Sequence, residues 1–164
     1  MKTVVVVPAF HEEKRVGEVV RGLTSAGFEV VVVDDGSTDQ TAHVSAEAGA
    51  RVLCHAINRG QGAALRTGTE AALQLGADVI VHFDADGQHD ASFLASFVEP
   101  IARGEVDVVF GSRFLGLEAE GMPLLRRTIL VGGRFFSNYV LGIPRSVTDP
   151  QNGLRAFSAD GART

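Results

Sequence analysis

The stretch VVVVPAF, residues 4–10, decides how the rest of the chain reads. A run of valines without alternation fits a strand covered on both faces, as in a parallel sheet. Parallel neighbours need crossover connections, usually helices. The sequence supplies them. Val16, Val19, Val20 and Leu23 recur at helical spacing after the first strand. A second strand, FEVVVVDD (28–35), follows, and Ser37 or Thr38 is placed to cap the next helix. RVLCHAI (51–57) reads as a third strand, and a helix runs from about Gly62 to Leu75. DVIVHFDAD (78–86) is a fourth strand, Ala91 to Arg103 a helix, and VDVVFGS (106–112) a fifth strand.

This alternation predicts an α/β fold with a mostly parallel central sheet and helices on both faces. Ligands of such sheets bind outside the carboxyl ends of the strands. The polar motifs gather there: PAFHE after strand one, DDGS after two, NRGQG after three, DADGQ after four and GSR after five.

Composition agrees with a globular domain. The chain has 164 residues, 45% hydrophobic and 21% charged. One cysteine, Cys54, excludes an internal disulfide and fits a reducing compartment. The opening MKTVVVVPAF is too short for a signal peptide or a membrane span. Charge is uneven: residues 1–112 carry 8 Lys or Arg against 16 acids, while 113–164 carry 7 Arg against 4 acids. An arginine-rich segment suits phosphates or anionic surfaces. Within it, residues 123–142 form an amphipathic pattern. Leu124, Leu125, Ile129, Phe135, Phe136 and Tyr139 fall on one side, and Arg126, Arg127 and Arg134 on the other. That helix either packs on the sheet or lies against anionic lipid. Gly116 to Gly121 reads as a mobile loop.

In the fourth strand, alternation puts His82, Asp84 and Asp86 on one face and Phe83 and Ala85 on the other. Two carboxylates so close repel unless a turn hydrates them or a cation sits between them. Hard oxygen ligands suit Mg²⁺ or Mn²⁺. The alternative is a turn in which both acids bond backbone amides. An EF-hand is excluded: Gly87 comes too early, and Ala95 stands where the bidentate Glu belongs. Asp35, in DDGSTDQT (34–41), either shapes a turn or accepts hydrogen bonds from a base or ribose. NRGQGAAL (58–65) is a glycine-rich helix entry for anionic groups, but Leu65 breaks the dinucleotide fingerprint. His43 and His55 read as surface or packing residues, and His82 and His89 as neighbours of the acids and not as ligands.

In this order and spacing, PAFHE, VVDDGSTDQT, NRGQGAAL, FDADGQHD, GSRF and DPQNGLRAF resemble the family 2 glycosyltransferases. Within them the pattern is most similar to the polyprenyl-phosphate group typified by dolichyl-phosphate mannose synthase. The resemblance covers Val4 to about Phe157. It implies a single Rossmann-like nucleotide-sugar-binding domain of the GT-A type over residues 1–164. It also implies a chain that continues in relatives into further helices or membrane spans. Pro8, Phe10 and Glu12 match the first nucleotide contact, Glu12 and Asp35 the base or ribose contact, and Val33 the base pocket. Ala9, Gln61 and Ala85, together with Asp84 and Asp86, complete the implied nucleotide set of ten. Asp84 and Asp86 match the metal-holding motif, with Gln88 a further ligand. Asp86 and Arg113 are the implied catalytic residues, and Arg113, Arg126 and Arg155 the implied acceptor-phosphate contacts. The chain departs from the group in three places: Gln61 replaces a common lysine, His11 replaces a common asparagine, and LVGGR (130–134) does not carry serine and arginine where the group would place them.

The implied function is inverting transfer of a sugar from a UDP- or GDP-sugar to a polyprenyl phosphate, with Mg²⁺ or Mn²⁺. The implied setting is cytoplasmic, at the cytoplasmic face of a membrane, with no nucleic-acid partner. A saccharide hydroxyl acceptor would need a carboxylate base, and none stands out beyond the donor site. A non-catalytic nucleotide-sugar-binding domain is the other alternative. A sugar-phosphate nucleotidyltransferase would open with a glycine-rich, arginine-containing loop where this chain has PAFHE.

Overall fold

The computed structural model describes residues 1–85, 91–111 and 153–163. Met1–Val109 together with Leu154–Thr164 form one compact unit. Almost all of a second unit, Phe110–Gly153, lies outside the described residues, as do the predicted helix at 123–142 and the loop at 116–121.

The valine runs do form the centre of a sheet. Strand β1 (Thr3–Ala9) leads through α1 (Val16–Ser25) to β2 (Glu29–Asp34), then α2 (Thr41–Glu47), β3 (Arg51–Cys54), α3 (Gln61–Gln74) and β4 (Val79–His82). A 3₁₀ turn at Ala91–Phe93 enters α4 (Leu94–Ala102), followed by β5 (Val108–Phe110) and β6 (Arg155–Ser158). The sheet order is β3-β2-β1-β4-β6-β5. Strand β1 pairs in parallel with both β2 and β4, with Val6 opposite Val31 on one side and His82 on the other. Strand β6, absent from the sequence reading, runs antiparallel to β4, so the sheet is mixed.

Alternation along β1 feeds two cores. Val5 and Val7 face α1 and α4, packing with Val16, Val20, Leu23, Leu94 and Val98. Val4 and Val6 face α3, with Val31, Val33, Ala64, Ala72 and Ile80. Both layers exclude water: Val4 to Val7 are all 0% exposed. This explains why the run carries no polar residue.

Helix α3 sits close to the sheet because it presents small residues. A Cβ on Gly68 would lie 2.2 Å from Val6 Cγ1 and 3.2 Å from Val33 Cγ2. Gly68→Ala is therefore expected to overpack the site and to cost about 1–3 kcal/mol. Thermal unfolding checks this, with Tm falling by roughly 2–4 °C per kcal/mol at this chain length.

Several boundaries differ from the sequence reading: the fourth strand, expected over 78–86, is Val79–His82, and the fifth, expected over 106–112, is Val108–Phe110. The third strand stops at Cys54, where β2 also ends: Asp34 pairs with Cys54, and His55 N–H then donates to Asp34 O at 2.9 Å. Neither Ser37 nor Thr38 caps α2. Gln40 stands at the N-cap with no side-chain bond, and Asp39 before it accepts Thr41 N–H at 3.0 Å, while Ser37 donates its N–H and hydroxyl to Asp34. Among the described residues, no helix is long and apolar enough to cross a membrane.

Candidate functional site

After β1 the chain moves outward to β2 and β3, then returns across to β4 on the other side of β1. Loops leaving the ends of β1 and β4 therefore diverge, and a crevice opens between them. A cavity of about 420 Å³ occupies this crevice. That volume falls in the range of small-ligand sites.

Its wall contains Pro8, Ala9, Phe10 and Glu12 from the end of β1, Asp35 after β2, Gln61 from α3, and Asp84 and Ala85 after β4. Eight of the ten predicted nucleotide contacts are thus brought together. Val33 is not among them. It is 0% exposed and packs beneath α3 beside Gly68, because the even-numbered face of β1 and odd-numbered face of β2 here belong to the core. Asp86 lies outside the described residues, as do Gln88, His89, Arg113 and Arg126. Arg155 lies on β6 opposite His82 and does not line the cavity.

Phe10 is 43% exposed at the cavity wall, and its ring stacks on His11 with centroids 4.1 Å apart. His11 holds a left-handed backbone, φ 55°, costly for a residue with a Cβ. Contacts to the next loop hold it there. His11 N–H donates to Ser37 Oγ at 2.9 Å, and Nε2 accepts Thr38 N–H at 3.1 Å. Glu12 N–H donates to Thr41 Oγ1 at 2.9 Å. The loops after β1 and β2 are thereby fastened together before any ligand binds.

Asp35 is 3% exposed and heavily engaged. Its Oδ1 meets His55 Nδ1 at 2.6 Å and accepts Arg59 N–H at 3.0 Å, and its Oδ2 accepts Gly60 N–H at 2.7 Å. Burial works to raise its pKa, but the Arg59 amide, the His55 ring and the Gly60 amide outweigh it and hold the carboxyl below its ordinary value. Asp35 thus holds the 55–60 turn and also lines the cavity. Asn58, Gly60 and Ala64 line it too. The glycine-rich NRGQG signal pointed to this segment without fixing which residues face inward.

Past the end of β4 the side chains keep alternating. Phe83 and Ala85 are buried at 1% and 5%, while Asp84 is half-buried at the cavity. Gln61 Nε2 donates to Asp84 Oδ1 at 3.1 Å, so the residue standing where a lysine was expected spans the cleft to the first acid. A carboxylate at the cleft wall is donor chemistry that fits a hard divalent cation. Among the described residues, no group of three His, Cys, Asp or Glu side chains could hold a metal ion alone. The remaining expected ligands, Asp86 and Gln88, fall outside them. His82 does not line the cavity. Its Nε2 lies 2.9 Å from Thr69 Oγ1, and burial together with the Arg155 charge pushes its pKa down to about 4.

Residues 4–160 match the family model described as glycosyl transferase family 2. The chain is 43% identical over 161 residues to an uncharacterised protein of Methanocaldococcus jannaschii, covering 97% of this chain and 65% of that protein. It is 36% identical over 172 residues to the UDP-N-acetylglucosamine–dolichyl-phosphate N-acetylglucosaminyltransferase of Methanococcus voltae, covering 93% of this chain and 68% of that enzyme. Among solved structures, it is similar to glucosyl-3-phosphoglycerate synthase from Mycobacterium tuberculosis in complex with Mn²⁺ and UDP-glucose. There the TM-score is 0.74 and the identity 26%, over 97% of this chain and 56% of that one. The chain therefore spans about two thirds of these curated relatives and about half of that structure.

Proposed function

The chain belongs to glycosyl transferase family 2, and from that premise we propose that it moves a sugar from a UDP- or GDP-sugar to a polyprenyl phosphate, with inversion at the anomeric carbon. The fold is GT-A-like. The observation that carries the proposal is the cavity at the β1/β4 switch point. It unites an exposed aromatic ring at Phe10, the loaded carboxylate of Asp35, and the Gln61–Asp84 pair. An aromatic face suits a flat base, and an acid at the opposite wall suits the metal-bound diphosphate.

A divalent cation, Mg²⁺ or Mn²⁺, held by Asp84, Asp86 and Gln88 would neutralise charge on the departing diphosphate. The protein's own part is placement. Asp35 fixes the turn before α3. Gln61 restrains the Asp84 carboxylate, and Phe10 walls the base end. A phosphate acceptor is already an anion at neutral pH, so it needs cations to steer it and no strong base. Arg113, Arg126 and Arg155 are assigned that role. The Methanococcus voltae relative is named for a dolichyl-phosphate acceptor, which supports this choice. Residues 1–164 are read as one catalytic domain whose lipid acceptor lies at the cytoplasmic face of a membrane.

The test is a donor screen on the full-length protein with a polyprenyl phosphate, read by product mass. A glycosyl phospholipid is the expected product. Transfer only to a saccharide hydroxyl would replace the acceptor, and binding without any turnover would favour a non-catalytic domain. A simpler prediction precedes it: Mn²⁺ should tighten UDP or GDP binding about tenfold or more, as one added charge contact would. Calorimetric titration with and without the metal measures this.

A further inference from the structure

We propose that His55 is a positioning residue for the nucleotide cleft, holding Asp35 and the 58–60 turn in register with helix α3. The role rests on the nucleotide reading of that cleft. The sequence offered His55 only as a surface or packing residue. In the structure its side chain is 8% exposed, and both ring nitrogens are engaged. Nδ1 lies 2.6 Å from Asp35 Oδ1, and Nε2 lies 2.9 Å from Thr67 Oγ1, in the second turn of α3. Backbone closes the arrangement, since His55 N–H donates to Asp34 O at 2.9 Å.

The imidazole is not a wall of the cavity; Asp35 is. Any effect of His55 on a ligand must pass through that carboxylate. A carboxylate rotates easily about its last torsion, and three backbone contacts from Arg59 and Gly60 depend on its angle. The Nδ1–H donor pins Oδ1 and leaves Oδ2 directed at Gly60. Thr67 in turn fixes the ring, because its hydroxyl can donate or accept as the ring requires. One buried histidine thus couples three elements that meet at the site: the end of β2, the 55–60 turn, and α3, whose first residue, Gln61, reaches Asp84. Preorganising such a turn spares a ligand the ordering that binding would otherwise demand.

Three variants of the full-length protein test this: His55→Ala, His55→Asn, which keeps a donor near the Nδ1 position, and Thr67→Val. Two readouts are taken, amide hydrogen exchange at Arg59 and Gly60, and binding of UDP and of GDP with Mn²⁺. In His55→Ala, both amides should exchange about tenfold faster and nucleotide affinity should fall about tenfold, the scale of one lost buried hydrogen bond. His55→Asn should recover both to within about threefold of wild type, and Thr67→Val should fall between. A packing role would leave His55→Asn as impaired as His55→Ala, since the ring volume is missing from both, and that result overturns the proposal. So do unchanged amide exchange and unchanged binding in His55→Ala. Should His55→Ala fail to fold, the other two variants decide the matter. If the amides respond as expected while wild type binds neither nucleotide, the tie through His55 holds and the nucleotide reading of the cleft fails.

Discussion

Asp84→Asn is expected to lower kcat by about three orders of magnitude while leaving the protein folded. The substitution keeps shape, and an amide oxygen at the same place still accepts the Gln61 hydrogen bond now made to Asp84 Oδ1. What disappears is one negative charge at the cleft. A charge pair at 4 Å is worth roughly 4 kcal/mol at an effective dielectric of 20, and expressed only in the transition state that is about three decades of rate. Asp84 is half-buried and lies outside both apolar cores, so Tm should move by no more than about 2 °C. Steady-state turnover with excess Mn²⁺ and donor makes the measurement. Activity within tenfold of wild type would remove Asp84 from the metal site. Asp86→Ala is expected to behave alike.

Gly36→Ala should be the most damaging change made without touching any charged group. Gly36 has φ 80°, a conformation that disfavours a Cβ by about 1–2 kcal/mol. The added Cβ would also lie 2.6 Å from both Asn58 N and Ile57 C. These are backbone atoms, so no rotamer change relieves the contact. The 57–60 turn must lift, drawing Asn58 and Gly60 off the cavity wall and breaking the Arg59 and Gly60 bonds to Asp35. Destabilisation of about 3 kcal/mol or more is expected, together with loss of nucleotide binding. Urea unfolding and a UDP titration check the two arms. A loss under about 1 kcal/mol would mean that the turn yields without cost.

The central strands were legible because each carries its whole burial pattern locally. Val4–Val7 and Val30–Val33 are apolar at every position, and every one of them is buried on both faces of the sheet. The cavity was legible for a related reason: parallel topology gathers strand ends at one edge, so PAFHE, Asp35, Gln61 and Asp84 had to approach one another. Where the reading failed, the deciding contact was distant. Strand β6 is four residues, RAFS, and exists because β4 offers an open edge more than seventy residues earlier in the chain. Nothing in its own sequence marks it. Ile57 continued an apolar run, yet it is 70% exposed, because β2 ends at Asp34 and leaves nothing for β3 to pair with beyond Cys54. The bonds His55 makes were not legible locally because its partners, Asp35 and Thr67, are 20 and 12 residues away. Val33, matched to the base pocket by motif position alone, is buried under α3 and is not among the residues lining the cavity.

Crystals of the full-length protein soaked with Mn²⁺ and UDP would test the central claim most directly. The account predicts one anomalous peak in the β1/β4 cleft, about 2.0–2.3 Å from oxygens of Asp84 or Asp86 and from the diphosphate, with the uracil against Phe10. Nucleotide bound with no metal between it and those two acids, or a manganese ion lodged elsewhere, would contradict it.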